Sequence, residues 1–264
     1  MTSFLRADVF RGMSALVTGG GTGIGRSIAI ELRSLGAKVT IASRSETNLR
    51  KTGEENDMSV FRCDIRREGE VKELMQFVEN EHGGLDLLVC NAGGQFHANA
   101  EDISAKGWNA VIDTNLNGSW YCMRHGFELM KRTDRGGGAV VNIIADMFNG
   151  FPGMAHTGAA RAAVENLTKT LALEWIHEGV RVNAVAPGLI YSSSAARNYP
   201  PGFLESFSNE LPAKRLGTPG EVSSAVCFLL SPAAKYITGT TLRVDGGSSL
   251  YRRVGFHIKD HKQI

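Results

Sequence analysis

Ala15-Leu-Val-Thr-Gly-Gly-Gly-Thr-Gly-Ile-Gly-Arg26 is the stretch on which the reading of the whole chain turns. Ala15 to Val17 form a short apolar run of the kind a buried strand makes. Thr18 and Gly19 leave that strand, and Gly23, Ile24 and Gly25 open a helix expected to run through Leu32. Strand, glycine-rich turn and helix start together make a phosphate-binding device. Glycines let backbone approach a ligand closely, and the free amides and positive dipole end of the helix receive negative charge. A tight turn would account for one glycine, but not for a cluster placed where strand becomes helix.

Outward from this turn, apolar runs alternate with helical segments. Lys38–Ser43, Ser59–Cys63, Leu85–Cys90, Ala139–Ile144, Val180–Val185 and Thr240–Val244 read as strands. Helices are expected near Glu68–Glu81, Ser104–Arg132, His156–His177 and Glu221–Leu230. Such alternation predicts a parallel sheet with its ligand at the carboxyl ends of the strands. No repeat or linker breaks the chain, so residues 1–264 are expected to form one α/β domain. The stretch 189–215, which holds Tyr191, Tyr199, Phe203 and Phe207, reads as a substrate loop.

Two residues at strand ends bear on the ligand. The second strand ends in Arg44, where an acid would hold the ribose 2′-hydroxyl of NAD; an arginine receives a 2′-phosphate instead, which favours NADP(H) over NAD(H). Asp64, after the third strand, either accepts from an adenine amino group or caps the following helix. Asn115 lies inside a predicted helix, where asparagine is a poor choice, and a local violation of this kind marks a candidate functional position.

Composition narrows the classes. The chain has 264 residues, 42% hydrophobic, with a net charge of +2, which gives no reason to expect nucleic acid or an acidic membrane as partner. Cys63, Cys90, Cys122 and Cys227 are scattered, with no Cys-x-x-Cys pair, so neither a metal nor a disulfide scaffold is expected. No segment is long and apolar enough to span a membrane, and neither the first residues nor Lys259–Ile264 carries an export or peroxisomal signal, so the cytoplasm is the expected location.

Thr18-Gly-Gly-Gly-Thr-Gly-Ile-Gly25, Asn91-Ala-Gly93, Asn115, Pro187-Gly188 and Val244-Asp-Gly-Gly247 occur in that order. Together they resemble the short-chain dehydrogenase/reductase family over nearly the whole chain. The resemblance implies a doubly wound Rossmann-type fold, a seven-stranded parallel sheet with helices on both faces. It also implies NAD(P)-dependent hydride transfer and a homotetramer, with the helices Ser104–Arg132 and His156–His177 as candidates for self-association. Cofactor contacts then fall to Gly19, Gly21, Thr22, Gly23 and Ile24 in the turn, and to Ser43, Arg44, Asp64, Ile65, Asn91, Ala92 and Gly93 at the next three strand ends. Arg161, Pro187, Gly188 and Ile190 complete the set.

Within the family, Gly93-Gly-Gln-Phe96, Gly150-Phe-Pro152, His156-Thr-Gly-Ala-Ala-Arg-Ala162 and Leu171-Ala-Leu-Glu-Trp175 resemble the trans-2-enoyl-CoA reductases of peroxisomes. The family's Tyr-x-x-x-Lys is absent. Thr157 falls where the tyrosine stands, Arg161 where the lysine stands, and no serine occurs in Ile144-Ala145-Asp146. Reduction of a ketone leaves an alkoxide that needs a proton at once, and a positioned general acid contributes roughly 10²–10⁴-fold. Arg161 does not give up its proton at ordinary pH. Reduction of an enoyl thioester instead develops charge on the thioester oxygen, which needs hydrogen-bond donors. The expected activity is therefore NADPH-dependent reduction of an activated double bond, with Asn115, Asp146, Thr157 and Arg161 as catalytic candidates. His156 and Glu165 rank below Asp146 and Thr157, with His156 packed under the loop and an Arg161–Glu165 ion pair as the plain alternatives. Oxidoreduction of a hydrophobic alcohol, or dinucleotide binding without turnover, are the rival activities.

Overall fold

Strand β1, Ser14–Thr18, is buried along its whole length, as a strand covered on both faces of a parallel sheet must be. The computed structural model describes residues 5–133, 135–192, 206 and 208–251. Six further strands join β1: β2 (Lys38–Ser43), β3 (Ser59–Arg62), β4 (Leu87–Cys90), β5 (Gly138–Ile143), β6 (Val180–Pro187) and β7 (Thr241–Val244). Their order is β3-β2-β1-β4-β5-β6-β7, and every neighbouring pair is parallel.

Alternation along the strands builds two cores. Ala15 and Val17, Val39 and Ile41, Leu87 and Val89, and Val141 and Ile143 face one side. Leu16, Ala42, Leu88, Cys90 and Val140 face the other. The first side is covered by α1 (Gly23–Ser34), α2 (Glu46–Asn56) and, near the end of the chain, Pro219–Leu230, the last of seven α-helices among the described residues. The second is covered by α3 (Glu68–His82), α5 (Gly118–Met130) and α6 (Ala155–Trp175), with α4 (Ala105–Ile112) preceding α5. The seven-stranded doubly wound fold is as expected. Strand order reverses between β1 and β4, which opens the crevice where such sheets bind ligands.

Three elements differ from expectation. Helix α2 had no apolar stripe to announce it: it buries only Leu49, Thr52 and Gly53. The single helix expected over Ser104–Arg132 is broken by a π-turn at Asp113–Asn117. Local side chains satisfy what the break frees: Thr114 Oγ1 donates to Ala110 O at 2.8 Å and Ser119 Oγ to Asn115 O at 2.8 Å. Asp64 does not cap α3, whose N-cap is Arg67; its carboxylate is taken by the Arg66 guanidinium and backbone instead.

Helix α7 (Pro219–Leu230) is fixed at both ends. Thr218 and Glu221 form a capping box, and Arg215 Nη2 donates to Glu221 Oε1 at 2.7 Å. At the other end the buried Arg181 donates from Nη1 to Leu229 O at 2.8 Å and from Nη2 to Leu230 O at 3.2 Å. A cation at a helix C-terminus complements the dipole while satisfying carbonyls that lack intrahelical donors.

Most of the expected substrate loop, including Tyr199, Phe203 and Phe207, lies outside the described residues, as does Lys259–Ile264.

Candidate functional site

The glycine turn is shaped by its neighbours. Gly19 has φ +69°, a left-handed value, and Gly23 opens α1 at φ +55°. A Cβ on Gly25 would lie 2.3 Å from Gly19 O, so the helix can approach the turn only with glycine there. Thr22, the N-cap of α1, is extended and makes no side-chain cap bond, and the first turn holds no acidic residue. The helix start therefore keeps its amide groups and positive dipole end for an outside anion.

Hydrogen bonds join the ends of β1 and β4 beside this turn. Thr18 Oγ1 accepts the backbone N–H groups of Asn91 and Ala92, both at 3.0 Å, and Asn91 Nδ2 donates to Thr18 O at 2.9 Å. Above them opens a cleft of about 670 Å³. Gly19, Gly21, Thr22 and Ile24 form its floor, Ser43 and Arg44 one end, Asp64 and Ile65 a wall, and Asn91, Ala92 and Gly93 the far side. Ser45, Asn48, Thr114 and Ser192 also line it and were not foreseen from sequence. Ser45 and Asn48 belong to the start of the unforeseen α2, and Thr114 to the π-turn. Gly23 shapes the turn without lining the cleft. Pro187, Gly188 and Ile190 are not among the lining residues. Pro187 pairs with Val244, Gly188 N–H donates to Val244 O at 3.0 Å, and Ile190 bridges to Gly217, so these three tie β6 to the structure beside β7.

The cleft fits a dinucleotide. Its floor offers an uncapped helix start to a pyrophosphate. Asp64, held in the ionised form by the Arg66 hydrogen bond, which pulls its carboxyl below the usual range, puts an acceptor on the cleft wall. Arg44 is exposed and makes no ion pair within 4 Å among the described residues. Cys63 also lines the cleft, but burial pushes its thiol up to about 12, so it carries no thiolate chemistry.

Behind Gly93 stand the residues of α6, none of which, the expected cofactor contact Arg161 included, is among the lining residues. Arg161 is buried at 8% exposure, donates from Nη1 to Ile143 O at 2.7 Å, and has no acidic partner among the described residues. Burial pulls its guanidinium down to about 10, which still leaves it charged at neutral pH. Its Nε has no hydrogen-bond partner in the protein. A buried cation in this state favours an oxygen that carries negative charge. Gly93 makes room for it: a Cβ there would fall 2.2 Å from Arg161 Nη2 and 2.8 Å from Asn115 Oδ1. Asn115, in the π-turn, holds the same loop by accepting from Gly94 N–H at 3.0 Å and donating to Gly94 O at 2.8 Å. Asn115, Gly93 and Arg161 are thus brought together.

Thr157 and His156 are both fully buried at the start of α6. The Thr157 N–H donates to His156 Nδ1 at 2.8 Å, and the Thr157 hydroxyl lies 3.3 Å from the same nitrogen. Asp146 is not drawn into this group: its Oδ2 accepts from the Ser248 hydroxyl at 2.7 Å. Glu165 pairs with Lys169 at 3.2 Å and not with Arg161. Among the described residues no His/Cys/Asp/Glu group could hold a metal, and no helix is long and apolar enough to cross a membrane.

Comparison with known proteins adds to this geometry. A family model described as Enoyl-(Acyl carrier protein) reductase matches residues 19–249. The chain is 43% identical to the solved citronellol catabolism dehydrogenase of Pseudomonas aeruginosa PAO1, with a TM-score of 0.84 over 94% of this chain and 100% of that one. It is 33% identical to a solved short chain dehydrogenase/reductase family protein, with a TM-score of 0.83 over 92% of this chain and 99% of that one. It is also 33% identical over 250 residues to the probable 2,4-dienoyl-CoA reductase of Bacillus subtilis (strain 168), covering 90% of this chain and 96% of the relative.

Proposed function

The chain belongs to the short-chain dehydrogenase/reductase family of oxidoreductases, and from that premise we propose that it is an NADPH-dependent reductase of an activated carbon–carbon double bond, with a trans-2-enoyl thioester as substrate. The observation that carries this reading is the pair Thr157 and Arg161 on α6: a buried hydroxyl and a buried cation without an acidic partner among the described residues, on a helix that holds no tyrosine to deliver a proton. The reduced nicotinamide, when bound, supplies the hydride, which goes to the β-carbon of the substrate. Arg161 and Thr157 then stabilise charge on the thioester oxygen as an enolate. Asn115 keeps the Gly93–Gly94 loop against Arg161, so the cation is set in place before substrate arrives. The α-carbon takes its proton afterwards from water, since Asp146 is bonded to Ser248 outside this group. Asp146→Asn should therefore leave turnover intact. Arg44, free of ion pairs beside the uncommitted Ser45 N-cap of α2, supports NADP(H), whose 2′-phosphate it would neutralise.

NADPH oxidation with crotonyl-CoA and longer enoyl-CoA esters tests the reading, and no oxidation at any chain length refutes it. A second reading, oxidoreduction of a hydrophobic alcohol, is favoured by the 43% identity to a citronellol catabolism dehydrogenase and by the half-exposed Phe96, Leu189 and Tyr191. Its mark is activity on such alcohols with NADP⁺ and none on thioesters. Dinucleotide binding with no turnover on either panel would identify the chain as a binding protein. We further propose a cytoplasmic homotetramer in which the outer face of α6, with Leu173 78% exposed, is covered; light scattering on the eluted protein checks the mass.

A further inference from the structure

Among the described residues, three buried side-chain atoms have no hydrogen-bond partner in the protein: Asn142 Oδ1, His156 Nε2 and Arg161 Nε. Asn142 is interior to β5, donating to Met123 Sδ and Thr168 Oγ1, and Arg161 already belongs to the site. His156 is different. It is 0% exposed, immediately precedes Thr157, and sits in the first turn of α6, the helix that carries Arg161. Its Nδ1 accepts the Thr157 N–H, and a nitrogen that accepts a backbone N–H carries no proton. The neutral imidazole therefore holds its proton on Nε2, as a buried donor with no acceptor. Such groups are rare in folded proteins and call for a reason.

What covers this ring is apolar and half open. Phe96 packs edge-to-face on His156 with centroids 4.4 Å apart, yet is itself 41% exposed. The Phe96 ring also lies on α4 at Gly107, where a Cβ would be 2.8 Å from Cζ. Glycine inside a helix is unfavourable, and here the helix has it where the ring approaches. One half-exposed aromatic ring, on the loop that follows β4, thus packs directly on the buried imidazole.

We infer that His156 is a further catalytic residue: its Nε2–H donates a hydrogen bond to the acyl oxygen of the substrate, which displaces Phe96 to reach it. This rests on the thioester-reductase reading. The proton stays on nitrogen throughout, and no bond other than the hydrogen bond is made. Thr157, Arg161 and His156 then converge on one oxygen from a single helix.

Two substitutions separate this role from a structural one. In His156→Asn the amide oxygen replaces Nδ1 and still accepts the Thr157 N–H, but nothing reaches the Nε2 position. In His156→Gln the amide nitrogen reaches the Nε2 position. The inference expects His156→Asn to keep its melting temperature and NADPH affinity while losing about 100-fold in kcat, and His156→Gln to stay within about threefold of wild type. A wild-type kcat in His156→Asn overturns it. Infrared difference spectra of a bound saturated acyl-CoA should show the thioester C=O stretch lowered in wild type and in His156→Gln, and unshifted in His156→Asn. Nitrogen-15 spectra of the His156 ring supply a readout that needs no substrate: protonation at Nδ1 overturns the inference whether or not any thioester is reduced. If wild type reduces ketones and no enoyl thioester, the substrate reading fails, and the same pair of variants judges the histidine on the ketone.

Discussion

Gly93→Ala tests whether the guanidinium of Arg161 is held as firmly as the geometry implies. The added methyl falls 2.2 Å from Nη2 and 2.8 Å from Asn115 Oδ1. Carbon and nitrogen settle about 3.5 Å apart, so the guanidinium must retreat by about 1.3 Å. Asn115 is poorly placed to give way, because its amide holds Gly94 at both N–H and C=O. The Arg161–Ile143 bond is 2.7 Å long, and a retreat of that size takes it past the range of a hydrogen bond. Losing a hydrogen bond to a charged, buried group costs about 1.5–3 kcal/mol. The prediction is a loss of about 2–3 kcal/mol in urea unfolding, accompanied by weaker NADPH binding. Arg161→Lys ends short of the Nη2 position and removes that collision, leaving the one with Asn115 Oδ1. In that background the same alanine should cost about 1–2 kcal/mol less than in wild type, which is the coupling energy of the pair. An equal cost in both backgrounds refutes the packing argument.

Three more predictions concern separate parts of the molecule. Arg44→Ala should weaken NADPH binding by roughly 10–100-fold and leave NADH binding nearly unchanged in a fluorescence titration, because a charge-assisted phosphate contact is lost; equal weakening of both counts against a 2′-phosphate partner. Arg181→Met leaves the last carbonyls of α7 without their donor and should destabilise by about 2–4 kcal/mol in urea, with NADPH affinity intact because Arg181 is not among the cleft residues. Glu221 is pulled down from 4.5 to about 2, first by the Arg215 hydrogen bond, so its folded form binds protons less readily than its unfolded form. Its contribution is present above about pH 4.5 and is lost as pH falls through about 2. Glu221→Gln should therefore be less stable than wild type at neutral pH and converge with it in strong acid, and a gap that persists at the acid end would rule this linkage out.

Much of this arrangement was legible in the chain because it is written in local pattern. Short apolar runs such as Leu87–Cys90, closed by a turn with glycine, read as strands buried on both faces, and the glycines from Gly19 to Gly25 announce the phosphate turn. Asn115 was legible as an anomaly but not as a π-turn residue bonded twice to Gly94, a contact far away in sequence. Helix α2 was hidden because it buries so little. Glu165 stands four residues from both Arg161 and Lys169. The Glu-before-Lys order is the better helical pair, and the bonding of Arg161 to Ile143 O takes it out of competition. The unsatisfied Nε2 of His156 was beyond sequence altogether, because a missing partner is a property of packing. Nor could spacing show that Ser248, from the turn after β7, engages Asp146.

The uncapped start of α1 has a consequence for how the protein is kept. A ligand that supplies the missing acceptors to Thr22 and the first turn binds the native chain and not the unfolded one. Folding and cofactor occupancy are then one equilibrium, and at a hundred times the dissociation constant the native state gains about 2.7 kcal/mol. The resistance of the chain to heat and to proteases should accordingly follow the dinucleotide pool. A melting curve recorded with each nucleotide in turn would rank them for this site without any knowledge of the substrate.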